Sequence, residues 1–562
     1  MNLRHTTAIL MAAATFAAPL KADISGPYLA ARQASLVFDY EEAVKYYAQA
    51  IVEDPTNLAL LQNAVVANVG EGDVLTAARI SKTFQDAGGN NQIATLVVNM
   101  AELKDGTYDL AAQKSEQAEG LAPLLDGLLQ GWALLGKGQM SDATAAFAEV
   151  AAQPDFAPLA YYHEALALAQ VGDFEAADNI LSGARYGPLT LSPRGLESHA
   201  QVLMQLERVD DALELLNAAL QGGFSPELQA FKAKVEAGTG TDYTFVTTPQ
   251  EGAAEVLFTL AALLQGRAAP EHVLIYTRLA TFLRPDHAQA ALISAEMLED
   301  LGQYTLAETA YADVPNDHAA YFLAEMGRAN ALYADDRKDA ATEVLSALAK
   351  SHPDIAMVHA AHGDYLGRAD RDDEAIAAYS KSIELRGEDN RASWPVYYAR
   401  GIVHERNDDF AAMESDFRKA LELQPNHPDI LNYLGYALVE QQIKLDEALG
   451  MIETAVAERP DSGYITDSLG WVFYRLGRYE EAVGPMERAV SLLPVDPIVN
   501  DHLGDVYWKV DRKREAEFQW KRALSFDPEE EEAERIRRKL EVGLDVVLEE
   551  EAANGTTETA DN

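Results

Sequence analysis

No cysteine occurs in the 562 residues. That excludes disulfides, zinc–thiolate centres and cysteine nucleophiles. It also excludes a bacterial lipoprotein anchor, which needs a cysteine at the cleavage point. Positive charge is scarce. The chain has 45 Lys and Arg against 90 Asp and Glu, a formal net charge of −45. Such a surface repels nucleic acid and anionic lipid heads and favours basic or neutral partners, besides aiding solubility. Long apolar runs are missing too. The longest, Thr6 to Ala18, has 13 residues, short of the roughly 20 that span a bilayer. No phosphate loop, no paired-histidine helix motif with Glu and no Gly-x-Ser-x-Gly elbow occurs. The Gly238, Thr239, Gly240 stretch lacks a third glycine and a preceding strand. His359 and His362 lie one helical turn apart near Asp364, and two exposed or helix-packing histidines are a plainer reading than a metal site. No cofactor, metal or small-molecule substrate is expected.

What the chain has is a beat. Gly401, Gly435, Gly470 and Gly504 are spaced 34, 35 and 34 apart, and Ala420, Ala455, Ala489 and Ala523 keep the same step. So do Pro425, Pro460, Pro494 and Pro528. One unit, Gly463 to Pro494, holds two apolar patterns of helical period. Leu469, Val472, Phe473 and Leu476 line one face of a first helix. Ala482, Val483, Met486, Ala489, Val490 and Leu493 line one face of a second. Gly477 marks the turn between them and Pro494 the stop. Glycine inside a helix costs about 1 kcal/mol relative to alanine. Gly470 therefore implies close approach of the two helices, with Ala482 as the expected small partner.

Leu469-Gly470, Phe473, Ala482, Met486, Ala489 and Pro494 resemble the tetratricopeptide repeat (TPR), a helix–turn–helix unit of 34 residues. Met486 departs from the usual aromatic, which Phe417 and Trp520 supply in neighbouring units. The central small residue recurs from Ala43 to Ala516, mostly at 34 or 35. The resemblance implies an all-α fold, a TPR α-solenoid: a right-handed superhelix of about fourteen repeats. The beat breaks between Ala212 and Ala307, where 222–226 and 238–249 are rich in Gly, Thr and Pro and read as loops. The expected organisation is a signal peptide at 1–22, a degenerate array at 23–226 and a cap helix (Glu227 to Glu236) with linker at 227–249. A middle array at 250–386 and a regular array at 387–528 follow. A capping helix at 529–548, with Ile536, Leu540, Leu544 and Leu548 at helical spacing, precedes a disordered acidic tail at 549–562.

Residues 1–22 read as a secretory signal, with Arg4 and His5 before the apolar core and Ala22 before the cleavage point. The expectation is a periplasmic protein without a lipid anchor. In TPR arrays the first helices line a groove. Carried onto this sequence, the resemblance implies Tyr398, Ile402, Arg406, Asn432, Tyr436, Asp467, Trp471, Tyr474, Arg475, Asp501, Asp505, Trp508 and Lys509 as groove residues. For Trp471 and Trp508 the alternative is burial between adjacent units. Acids stand where carboxylate-clamping TPR domains carry Lys and Asn, so a basic or polar segment fits better.

Residues 394–528 resemble envelope TPR proteins of proteobacteria. These include lipid-anchored adaptors that deliver peptidoglycan hydrolases to a carboxyl-terminal processing protease. The resemblance implies a non-catalytic scaffold or adaptor for protein or peptide partners, with no nucleic acid and no small molecule. The alternative is an assembly factor for an outer-membrane or secretion complex. A cytoplasmic co-chaperone follows if residues 1–22 are no signal.

Overall fold

The computed structural model describes residues 25–113, 122–239 and 242–558. Among them are thirty α-helices, one 3₁₀ turn and no strand. The expected signal peptide lies outside the described residues. No helix among them is long and apolar enough to cross a membrane. The chain divides between Leu348 and Ala349 into two compact units.

The second unit is a succession of helix pairs. Four of them are Trp394–Arg406 with Phe410–Leu423, Pro428–Glu440 with Leu445–Glu458, Gly463–Arg475 with Tyr479–Leu492, and Pro497–Lys509 with Lys513–Leu524. Local chemistry sets their ends. Asp409, Ser462 and Asp496 cap helix starts by accepting a backbone N–H three residues on. The turn within each pair passes through the left-handed region: Asp408 (φ 56°), Gln442 (53°) with Lys444 (49°), Gly477 (73°) and Asp511 (64°). Glycine and aspartate tolerate this conformation best.

The glycine beat is a packing device. A Cβ on Gly401, Gly470 or Gly504 would collide with Phe417, Met486 or Trp520, each sixteen residues on, and on Gly435 with Ile452. Close approach is therefore present, but the group received is the bulky slot of the second helix rather than Ala482. Those four side chains are fully buried. Gly504→Ala is expected to destabilise the second unit by about 1–3 kcal/mol, because the rigid indole of Trp520 must move. Gly450→Ala, also in a helix but with nothing near its Cβ, is expected to stabilise by about 1 kcal/mol. Denaturant titration of both variants checks the pair, and equal signs would refute the packing account.

The end of the unit differs from the single capping helix expected. Gly543 (φ 86°) separates Glu530–Val542 from Leu544–Glu558. Trp508 packs where a Gly543 Cβ would stand, so the chain breaks there and Leu544 starts a new helix. Ile536 and Leu544 still seal the same core. The last helix runs on to Glu558, into the stretch read as tail; residues 559–562 lie outside the described ones.

In the first unit the array does not stack only on sequence neighbours. Helix Pro226–Glu236 is present, but no joint follows it. After the loop at 237–248 the chain folds back. Helix Pro249–Leu264 packs on Ala122–Gly136 and Ala157–Gln170, and helix Pro270–Leu283 packs on Leu58–Glu71 and Gln92–Lys104. Gly252 lies against the indole of Trp132. Gln250 donates to Tyr108 Oη at 2.9 Å, Lys104 to the Leu283 carbonyl at 3.1 Å and Arg278 to the Gly70 carbonyl at 3.3 Å. Repeats that touch only their neighbours would make none of these contacts. Residues 249–283 thus cover the first helices of their own array.

Candidate protein-binding groove

First helices of successive repeats in the second unit touch one another: Ala356–Arg368 with Trp394–Arg406, Pro428–Glu440 with Gly463–Arg475, and the last with Pro497–Lys509. Helical spacing puts 464, 467, 471 and 474/475 on one face, and 498, 501, 505 and 508/509 on the equivalent face of the next repeat.

The sequence-derived residues divide by how much their neighbours use them. Tyr398 is half-buried, edge-on to Tyr433 with centroids 5.7 Å apart. Ile402 packs against the same core. Arg406 pairs with Asp372 and, at 3.6 Å, with Asp370. Asn432 Oδ1 is buried without a hydrogen-bond partner. Burial, then the charges of Glu440 and Asp467, pushes the Tyr436 phenol up. Arg475 is half-buried beside it.

The next group is closed from within. Trp471 is only 7% exposed. Its ring stacks on Tyr474 (4.7 Å, 8°) and on His502 (4.0 Å, 14°), and its Nε1–H donates to Glu440 at 2.7 Å. Asp467 meets His502 Nδ1 at 2.9 Å. Burial alone would lower the His502 pKa, but Asp467, Asp501 and Asp505 together hold it above the usual imidazole value. Asp501 and Asp505 both receive Lys539 Nζ at 2.7 Å. Trp508 donates to Asp545 at 2.9 Å and Lys509 pairs with the same carboxylate at 2.6 Å, while Lys513 Nζ sits 3.6 Å from the Trp508 ring centre. Trp471 is thus buried between adjacent units, the alternative reading of it, whereas Trp508 is half-buried and packs against Gly543 at the terminal helices.

Glu440, His502, Lys539 and Asp545 were missed by the sequence reading. The beat itself points to two of them: His502 lies 35 residues after Asp467, and Lys539 lies 34 after Asp505. Sequence reasoning also passed over three large apolar side chains that stay in solvent. Tyr464 is 60% exposed, Val495 66% and Ile498 45%. Tyr464 and Ile498 open the two faces just described. As for the histidine pair, His359 Nε2 hydrogen-bonds the Pro353 carbonyl at 3.0 Å. Among the described residues no group of three or more His, Cys, Asp or Glu is arranged to hold a metal.

Helix pairs stacked on a shared seam and sealed by terminal helices define an α-solenoid repeat protein. Over residues 395–427 and 444–497 the repeats are tetratricopeptide repeats, matched by family models of that description. A TPR repeat-containing protein of Pseudomonas aeruginosa is 28% identical over 159 residues, which are 28% of this chain and 26% of that protein. The match thus spans about a quarter of the relative's length. Among solved structures, the Cut9–Hcn1 hetero-tetramer of the APC/C is 14% identical, covering 93% of this chain and 96% of that one with a TM-score of 0.38. A tetratricopeptide repeat protein from Parabacteroides merdae is 13% identical, covering 46% and 98% with a TM-score of 0.37. At such identities the likeness concerns the fold alone.

Proposed function

We propose that the chain is a non-catalytic scaffold that binds protein segments on the first-helix face of its second unit. One observation carries this reading: Tyr464, Val495 and Ile498, from adjacent repeats, leave large apolar side chains in solvent, at the mouth of a face otherwise stitched by its own hydrogen bonds. Such patches mark interaction sites more often than chance exposure does. Aromatic and aliphatic anchors carry most of an interface's binding energy. Residues 249–283 cover the corresponding helices of the first unit, which favours the second unit as the binding end. With the signal-like residues 1–22, the setting we propose is the periplasm. The sharpest form is delivery of cell-wall hydrolases or other substrates to an envelope protease.

Photo-crosslinking from position 464 or 498 in living cells is expected to capture a defined protein partner; crosslinkers on the second-helix face at Phe518 serve as control. The double variant Tyr464→Asp, Ile498→Asp is expected to weaken that partner's binding at least tenfold, about 1.4 kcal/mol or more, with unchanged thermal stability. Equal capture from 464 and 518 would defeat the reading. A mature N-terminus at Asp23 is expected by mass spectrometry. Envelope-protein half-lives that stay unchanged in a deletion strain, together with a missing complex, would favour assembly over delivery.

A further inference from the structure

The fold-back in the first unit creates a cleft that the binding face above does not involve. It has a volume of about 460 Å³ and lies between helix Pro193–Gln205, helix Pro226–Glu236 and the turns that carry Arg284 and Asp317. That size suits one long side chain or a small organic ion.

The charges on its walls are unequally matched. Arg194 is held by Glu255 through two hydrogen bonds of 3.0 and 2.7 Å, and its guanidinium lies 4.6 Å from the Phe245 ring centre. Arg284 pairs with Asp286 at 3.3 Å and donates to the Phe245 carbonyl at 2.6 Å. Both cations are answered within the wall. Two carboxylates have only neutral donors. Glu197 accepts from the Gln201 amide at 3.3 Å. Glu227 accepts from the Gln289 amide at 2.7 Å and from the Ser225 hydroxyl at 3.1 Å. Burial pushes the Glu197 carboxyl up, and the charge of Arg194, three residues before it on the same helix, offsets this only in part. His318 adds no positive charge at neutral pH: burial lowers its pKa, and its Nδ1 accepts the Ala320 N–H at 3.1 Å. Lys234 is a further cation on the wall, and Asp242 and Asp317 are further acids, so the excess is negative.

We propose that this cleft binds a guanidinium or primary ammonium group, with the half-buried Glu197 as counter-ion and Glu227 as second acceptor. A planar guanidinium would answer both carboxylates with paired N–H donors. The group arrives either on a free small cation or on an Arg or Lys side chain of a protein.

Calorimetric titration of the full chain with agmatine, and separately with the capped tripeptide Ala-Arg-Ala, tests the proposal and separates the sources. Tighter binding of agmatine assigns the cleft to a free cation; tighter binding of the tripeptide assigns it to a side chain. Glu197→Gln, which preserves shape and removes charge, is expected to weaken binding at least about tenfold. Glu214→Gln on the exposed face of helix Val209–Gly222 should leave it unchanged. If Glu197→Gln does not fold, Glu227→Gln carries the same expectation. Absence of binding by both probes at millimolar concentration, equal binding by the Gln variants, or binding of inorganic phosphate in their place would each overturn the assignment.

Discussion

Lys539→Ala is expected to destabilise the second unit by about 3–5 kcal/mol, the cost of leaving a buried charge without its partner. Lys539 is fully buried. Its ammonium bridges Asp501 at 2.7 Å and both oxygens of Asp505 at 2.7 and 2.9 Å, and the Trp520 indole also donates to Asp505 at 2.9 Å. Without the ammonium, the cationic groups left beside the pair are Arg535, at 3.6 and 3.7 Å, and the His502 imidazole. Burial, then Asp505, already pushes the Asp501 carboxyl above its ordinary range even with Lys539 present. The variant should raise it further. A carboxyl whose folded pKa lies above its unfolded value favours the folded state only once protonated, so the variant should regain stability as pH falls through that folded pKa. Replacing the group as a whole, with Lys539→Met, Asp501→Asn and Asp505→Asn together, should recover most of the loss, since no buried charge is then stranded. Guanidinium unfolding followed by tryptophan fluorescence reads these differences, with Trp508 and Trp520 adjacent to the site. A loss below about 1 kcal/mol for Lys539→Ala, within the range of exposed pairs, would show that the ammonium is hydrated and the carboxylates open to an outside cation.

That cluster also shows what the sequence could and could not tell. The beat of glycine, alanine and proline was readable because each position has one job. The glycine receives a bulky side chain, the alanine fits between helices and the proline ends one. Strict jobs leave strict residues. The all-α repeat architecture followed from that alone. Polar positions on the first-helix face have no such constraint, and whether Asp501 and Asp505 face solvent or an ammonium depends on Lys539, more than thirty residues on. The same holds for Trp471, whose partners Glu440 and His502 come from the repeats on either side. The fold-back of 249–283 was visible only as a broken beat. Loop composition signals an interruption but not the direction in which the chain resumes. The contacts that fix that direction, such as Gly252 against Trp132 and Arg194 against Glu255, join residues far apart in sequence.

Acid is expected to act oppositely on the two units. His163 and His287 are fully buried in the first unit, and burial lowers both to about 4. His163 Nδ1 accepts the Trp132 indole N–H at 3.3 Å, so taking a proton would break that bond. His287 lies beside Glu255 at 3.3 Å, with Arg194 beyond it. The Arg194 charge adds to burial, and the attraction of Glu255 does not outweigh the two. Glu255 itself stays ionised across this range, held far below the carboxylate norm chiefly by Arg194 against the cost of burial. In the unfolded chain both imidazoles titrate near 6.5. Between there and about 4 the unfolded state binds protons that the folded state refuses, so stability falls with pH. Each histidine should withdraw about 3 kcal/mol over that window. His502 in the second unit has the reverse sign. Its folded pKa is raised, so its contribution is full below the unfolded value and fades as pH rises through the folded one. Hydrogen exchange followed by mass spectrometry at pH 7 and pH 5 resolves the units separately. Opening free energies, corrected for intrinsic exchange, should drop in helix Ala157–Gln170 and hold or rise in helix Pro497–Lys509. His163→Gln, whose side-chain oxygen still accepts from Trp132, should reduce the first unit's dependence by about 1.4 kcal/mol per pH unit inside the window. An unchanged slope in that variant, or an equal acid loss in both units, would mean that these imidazoles reach water when the chain is folded.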